Sequence, residues 1–407
     1  EVLWTRVLRT IVQGTTQAFA AMLVNYLLGI GVGALLADRL VRGGRSPLRV
    51  FGVCQLLLAM LVGFAIAAVP QLPRLIVMLH GTPVTIPHEV SVLMIVSSLL
   101  LLPLALVLGT SIPLAWQMVR DDSAHAARHA GRVLAFNTLG GLIGSLLAGF
   151  VLVPAVGVER ALYGVIGLHA LLASVALALS GTRAPRRVFG ALVPVLVMLC
   201  IVALRPSLRL AWLLDAWHDA NATVIHGPES GDPCIDGECD GDAVCIEGYC
   251  SDTVRFLREG RNTTVTLLTR DGTSYRLFND GRPESGFSPG NPGFGSELAL
   301  LGALPSLLAA TPERAMAIGF GGGHTTTMML AGPFQRVDVV ELEEAVIDAA
   351  RIMHAAFDKP FPLDDERAHL TFDDARAQLL LAPAGTYDAV VSQPSHPWLA
   401  GSSVLYT

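Results

Sequence analysis

The sequence predicts a multi-pass α-helical membrane region followed by a parallel, doubly wound α/β domain, entered through a small β-subdomain. Three observations carry this expectation. Hydrophobic residues make up 52% of the 407 and charged residues only 15%, with the apolar ones concentrated before residue 205. That balance is too greasy for a wholly soluble enzyme, and the net charge of −6 gives no basis for a nucleic-acid partner. From Val254 onward, short β-prone runs give way to strands alternating with helices, the pattern of a parallel sheet. Finally, Arg314–Glu341 reads as a buried strand, a glycine-rich turn, a helix start and a second buried strand that closes on an acid.

The predicted division is a six-helix transmembrane region over 1–205, a juxtamembrane linker with a cysteine-rich insert over 206–252, a β-hairpin subdomain over 253–295 and the nucleoside-binding domain over 296–407. Crossing a bilayer takes roughly 20 apolar residues. Segments near 10–37, 48–69, 90–119, 132–155, 158–180 and 187–204 meet or approach that length. Arginines sort the connecting loops. Arg39, Arg42, Arg45 and Arg49 lie in the first, Arg120, Arg128 and Arg132 in the third, and Arg183, Arg186 and Arg187 in the fifth. The alternate loops hold only Arg74, and Arg160 beside Glu159. By the positive-inside rule the arginine-rich loops face the cytoplasm, so the chain beyond Leu204 is expected outside it.

Small residues predict close helix packing at Gly29, Gly31 and Gly33, and again along Gly140, Gly144, Ser145 and Gly149. Pro103 and Pro113 predict a kinked third segment. The strongly polar residues Gln13, Gln17, Asn25, Gln55 and Asn137 read as packing contacts between helices rather than a transport path. Trp212 and Trp217 suit a membrane interface.

Cys234, Cys239, Cys245 and Cys250 fall within seventeen residues, separated by four, five and four. Zinc knuckles use CxxC pairs. Two disulfides in an oxidising compartment fit these spacings better, in agreement with the arginine topology, and no metal is expected. Asp236, Glu238, Asp240 and Asp242 among them read as a solvated loop.

Thr263–Thr269 and Ser274–Phe278 flank Arg270-Asp-Gly-Thr273, a hairpin turn, and Asn279–Pro283 forms another. Residues 284–295, rich in Gly, Pro and Ser, read as a loop and candidate lid. Glu297–Leu308 and Glu343–Phe357 read as helices, and Ala368–Phe372 and Tyr387–Ser392 as the third and fourth strands. In such sheets ligands sit beyond the carboxyl ends of the strands, where the glycine turn, Glu341, Asp374 and Gln393 all fall. Gly319, Gly321, Gly322 and Gly323 leave the backbone free to approach a ligand. Glu341, eighteen residues past Gly323, is placed to accept hydrogen bonds from ribose hydroxyls. The chain stops soon after the fourth strand, so the soluble domain reads as truncated there.

Together these pieces resemble the spermidine synthase family, in particular bacterial proteins that fuse a major-facilitator-like membrane region to a spermidine-synthase-like domain. The carriers are Glu1–Arg6, Leu102–Pro113, Asn137–Gly140, Arg258–Arg261, Asn279–Pro283, the glycine turn, Val340-Glu341, Asp374–Arg376 and Ser392–Leu405. The resemblance implies a Rossmann-like domain of the class I methyltransferase type that binds decarboxylated S-adenosylmethionine. Glu341 would hold the ribose and Asp374 the adenine amino group. It also implies an inner-membrane location and a polyamine-related transferase activity. Three positions that carry aspartates serving the amine in the soluble synthases are here Gly322, Gln393 and His396. Gln393 can neither take a proton nor bind a cation. His396 can act as a base near neutrality, although a loop histidine beside two prolines also has a purely structural reading.

Three functions follow as alternatives. The first is aminopropyl transfer to an amine other than putrescine. The second is S-adenosylmethionine-dependent methyl transfer on the same fold. The third is a non-catalytic nucleoside sensor on a transporter-like membrane region.

Overall fold

The computed structural model describes residues 2–12, 16–42, 44–72, 75, 86–119, 126–181, 184–204, 208, 245–246, 249–250, 253–270, 272–288, 296–309 and 312–392. Its described residues divide into two units, one of helices and one that carries the strands, from Cys245 onward.

In the first unit, α1 (Val2–Val12) is followed by α2 (Thr16–Val41), α3 (Pro47–Ala68), α4 (Ile86–Gly109), α5 (Ser111–Val119), α6 (Ala126–Leu147), α7 (Val158–Ser180) and α8 (Ala184–Leu204). Among the described residues, six helical stretches are long and apolar enough to cross a membrane, by length and composition. Trp4, Leu8, Leu58, Val62, Ile66, Leu100, Leu162 and Ile166 form their core.

α2 lies against α4 because Gly29 and Gly33 have no side chain. A Cβ at either would meet Ala105 or Leu106 well inside van der Waals distance. The third apolar segment is not one kinked helix but two, α4 and α5, separated at Thr110. Asn25 and Gln55 join helices as expected. Ser98 donates to Asn25 Oδ1 at 2.8 Å, and Gln55 Oε1 meets His169 Nδ1 at 2.7 Å.

The second glycine ladder behaves otherwise. Nothing lies within 4 Å of a Cβ built at Gly140, Gly141 or Gly144, and α6 turns Phe136, Leu142 and Ile143 outward. Gly31 is equally open. A glycine face permits close approach but does not supply a partner; within this ladder Gly149 has a neighbour, Val2 Cγ1 at 3.8 Å from its Cβ position.

The second unit opens with a two-residue hairpin, β1 (Cys245–Ile246) and β2 (Tyr249–Cys250), whose register sets Cys245 opposite Cys250. Cys234 and Cys239 lie outside the described residues. An antiparallel meander follows: β3 (Thr253–Glu259), β4 (Thr264–Arg270), β5 (Ser274–Asn279) and β6 (Arg282–Phe287). Asp280 and Gly281 turn β5 into β6 with φ of 48° and 75°, the left-handed pair that a two-residue hairpin of type I′ requires.

The loop expected from residue 284 onward is therefore in part a strand. Phe287 is buried and pairs with Tyr275, which holds residues 282–287 on the sheet despite their loop-like composition. Val265, Leu267, Tyr275, Leu277 and Phe287 pack on Ala345, Val346, Ala349 and Met353 of a helix from the following domain.

That domain runs α9 (Ser296–Leu308), β7 (Arg314–Ile318), α10 (His324–Ala331), β8 (Arg336–Glu341), α11 (Glu344–Ala356), β9 (Ala368–Phe372), α12 (Ala375–Leu381) and β10 (Ala389–Ser392). The sheet is parallel, in the order β10-β7-β8-β9. Chain order thus reverses between β7 and β10, so a crevice opens at their carboxyl ends. Ala315, Ala317, Val337, Val339 and Val391 from the strands pack with Met329, Phe334, Ile347 and Ala350. The four-strand Rossmann-like arrangement is that expected from the alternating pattern.

Candidate functional site

The site is built where β7 ends. Gly319, Gly321 and Gly323 have φ of 79°, 54° and 79°, conformations that L side chains rarely adopt. Gly323 is also crowded, since a Cβ there would lie 2.8 Å from the Phe320 ring and 3.0 Å from Pro362. The turn is pinned from below by His354 of α11, whose Nε2 meets the Gly322 carbonyl oxygen at 2.9 Å while its Nδ1 meets that of Pro360 at 3.1 Å. Burial pushes the His354 pKa below the ordinary imidazole range.

Glu341 closes β8 beside this turn and is only 8% exposed. Its Oε2 accepts the Phe320 N–H at 2.8 Å, and its Oε1 accepts those of Leu342 at 2.8 Å and Glu343 at 3.0 Å. Burial raises its pKa above the usual carboxylate value, against the pull of these N–H groups and that of Gly321. The carboxylate is thus locked onto the glycine turn by backbone donors. An incoming diol has to share oxygens that are already hydrogen-bonded.

A cleft of about 390 Å³ lies over the turn, within the range of small-molecule sites. Gly319, Gly321, Gly322, Glu341, Asp373, Asp374 and Ser392 line it from the parallel sheet, and Asn279, Glu284 and Ser285 from the meander. Asp374 is present, but its Oδ1 also caps α12, accepting the N–H groups of Arg376 at 2.8 Å and Ala377 at 3.1 Å. Gln393 and His396 lie outside the described residues. Among the described residues no three His, Cys, Asp or Glu side chains gather as a metal site would require.

The absence of an acid at Gly322 has a structural counterpart. A Cβ there would sit 2.9 Å from both His324 Nε2 and Ser285 Cβ, and closer still to Ser285 Oγ. The space that a side chain at 322 would need is filled by a serine from the meander and a histidine from α10. His324 stacks edge-on against Phe287 at 4.6 Å, and its pKa falls to about 4. Burial is the first cause, with the nearby His354 and Lys359 charges adding to it.

Ser285 and Glu284 are the site residues that the sequence alone did not flag. They sit on the strand that composition disguised as loop.

No family model matches the chain. Curated relatives do, in part. Putrescine N-methyltransferase 4 of Nicotiana tabacum is 31% identical over 137 residues, covering 32% of this chain and 30% of the relative. Spermidine synthase 1 of Hyoscyamus niger is 30% identical over 95 residues, covering 23% and 30%. The chain therefore spans less than a third of the length of these relatives. Among solved structures, a spermidine synthase in complex with the transition-state analogue AdoDATO aligns at TM-score 0.31 and 18% identity, over 38% of this chain and 50% of that one. The spermidine synthase from Thermotoga maritima aligns at TM-score 0.29 and 18% identity, over 35% and 47%. The similarity is thus to spermidine synthases and putrescine N-methyltransferases, and it is partial.

Proposed function

We propose that the C-terminal unit binds an S-adenosylmethionine-type nucleoside as substrate and transfers an alkyl group from its sulfonium to an amine. The observation that carries this is the Glu341 carboxylate, buried at the end of the second strand and fixed by the N–H of Phe320 in the glycine turn and those of Leu342 and Glu343 after it. The residues present fit such a nucleoside. The turn offers bare backbone at Gly319 and Gly321, the cleft has the volume, and Asp373 and Asp374 line it. The sulfonium supplies the electrophile when bound, and the chain's own groups hold the ribose and exclude water.

Aminopropyl transfer from the decarboxylated nucleoside to an amine other than putrescine is the first reading. Methyl transfer from S-adenosylmethionine is the second. It is favoured by the longer match to the putrescine N-methyltransferases. Competition between the two nucleosides for the intact protein decides between them.

The reading further places the six apolar helices in a lipid bilayer, with arginine-rich loops in the cytoplasm and the nucleoside unit outside it. Thiol labelling at Cys234–Cys250 in intact cells tests that side assignment. Protection of these residues from an impermeant reagent, persisting after reduction, would contradict it.

A further inference from the structure

We infer that Glu284 is the carboxylate that receives the acceptor amine, holding its ammonium and taking its proton. This rests on the transfer reading above and names a residue for the half of the site that the sequence left without an acid.

β5 and β6 pair Leu277 with Ser285, but the next pair is Phe278 with Pro283. Glu284 is therefore the extra residue of a β-bulge, unpaired on its strand. Bulges turn a side chain out of the pleat alternation and recur beside active sites for that reason. Here the residue so redirected lines the cleft shared by the glycine turn and Glu341. Among the described residues its carboxylate accepts no hydrogen bond and makes no ion pair. A half-buried carboxylate in that state is costly unless a ligand completes it.

Charges of both signs act on it, and the acids on the cleft outnumber the one nearby guanidinium. Burial raises its pKa, the Arg282 charge lowers it and the Glu341 charge raises it again. The other titratable groups on the cleft are His324, Asp373 and Asp374. A carboxylate that resists ionisation is a better base toward an ammonium at neutral pH.

The acceptor enters as R–NH3⁺ and passes one proton to the Glu284 carboxylate. The freed nitrogen lone pair forms a C–N bond to the carbon on the sulfonium. The C–S bond breaks, and its electron pair stays on sulfur, which leaves as a neutral thioether. The product is a secondary ammonium, and the proton on Glu284 returns to solvent. The predicted acceptor class is thus a primary amine that is cationic in water.

The test uses the full chain in detergent, wild type against Glu284→Gln and Glu284→Asp. Calorimetry first measures nucleoside binding. It then measures binding of four probe amines, putrescine, cadaverine, 1,3-diaminopropane and spermidine, to protein saturated with methylthioadenosine or S-adenosylhomocysteine. Transfer to whichever of these binds is followed from pH 5 to 9. Glu284→Gln is expected to keep nucleoside affinity within about twofold, to weaken amine binding at least tenfold and to lower kcat/KM by roughly 10²-fold or more, with loss of the rising limb of the pH profile. Glu284→Asp restores part of that limb.

Amine affinity and pH profile unchanged in Glu284→Gln overturn the inference alone. A wild type that binds nucleoside but no amine cation overturns it as well. A wild type that binds no nucleoside overturns the transfer reading on which it stands.

Discussion

Placing a methyl group at position 322 should destabilise the glycine turn for a purely steric reason. Gly322 is not among the positive-φ residues, so alanine is free to take its backbone conformation. What it meets is Ser285 and His324, with Ser285 Cβ and His324 Nε2 both at 2.9 Å from the new atom. The hydroxyl can rotate away, but Ser285 Cβ is fixed by pairing with Leu277, and the His324 ring is held edge-on to Phe287. Overpacking of this kind costs about 1–3 kcal/mol. Gly322→Ala should therefore weaken the turn by that amount, and Gly322→Asp by at least as much.

Removing one of the two obstructions should return part of the loss, so Gly322→Ala should cost less in a Ser285→Gly background than in the wild type. Residues in contact couple in this way, whereas distant ones add. Hydrogen exchange of the amides of 315–341 in the full-length protein reads the effect locally, without requiring the whole chain to unfold in one step. Equal protection in wild type and Gly322→Ala would refute the packing around this turn.

Other consequences follow from the same contacts. Gly260 approaches the Glu343 carboxylate so closely that Gly260→Ala must displace it, which breaks its bond from the Asn262 N–H and costs about 1–2 kcal/mol; faster exchange at Asn262 is the readout. His324 is held neutral, its folded pKa of about 4 lying below the ordinary 6.5. Its contribution is complete above pH 6.5 and is lost as pH falls toward 4, at most roughly 3 kcal/mol from the shift. Urea titration of the C-terminal unit at pH 7 and pH 4.5 should show that loss shrink in His324→Gln. Asp338, 6% exposed, joins Arg314 at 2.7 Å and Arg336 at 2.8 Å. Asp338→Ala leaves two half-exposed guanidinium groups side by side, and a loss of about 1–3 kcal/mol should appear as early exchange along β7 and β8.

What could be read in the sequence was local. The strand, glycine turn, helix and closing acid of Arg314–Glu341 lie within one contiguous stretch, and their spacing alone brings Glu341 to the turn. The Asp280-Gly281 hairpin was legible for the same reason, because two residues decide its conformation. Residues 282–287 were not, because Pro283, Ser285 and Gly286 hide a strand that Phe287 and pairing with β5 impose. The role of Glu284 depends on a one-residue slip in register between two strands, which no window of sequence records. The packing of Gly29 and Gly33 against α4 and the open face of Gly140 and Gly144 carry the same small-residue signal. Only the identity of the neighbouring helix separates them.

The central claim is tested most directly by titration calorimetry of the full-length protein with S-adenosylmethionine and with its decarboxylated form, repeated on Glu341→Ala. Saturable binding of at least one nucleoside, weakened tenfold or more by the substitution, is the predicted result. Binding of neither nucleoside to the wild type, or equal binding by wild type and Glu341→Ala, would contradict the nucleoside site at the glycine turn.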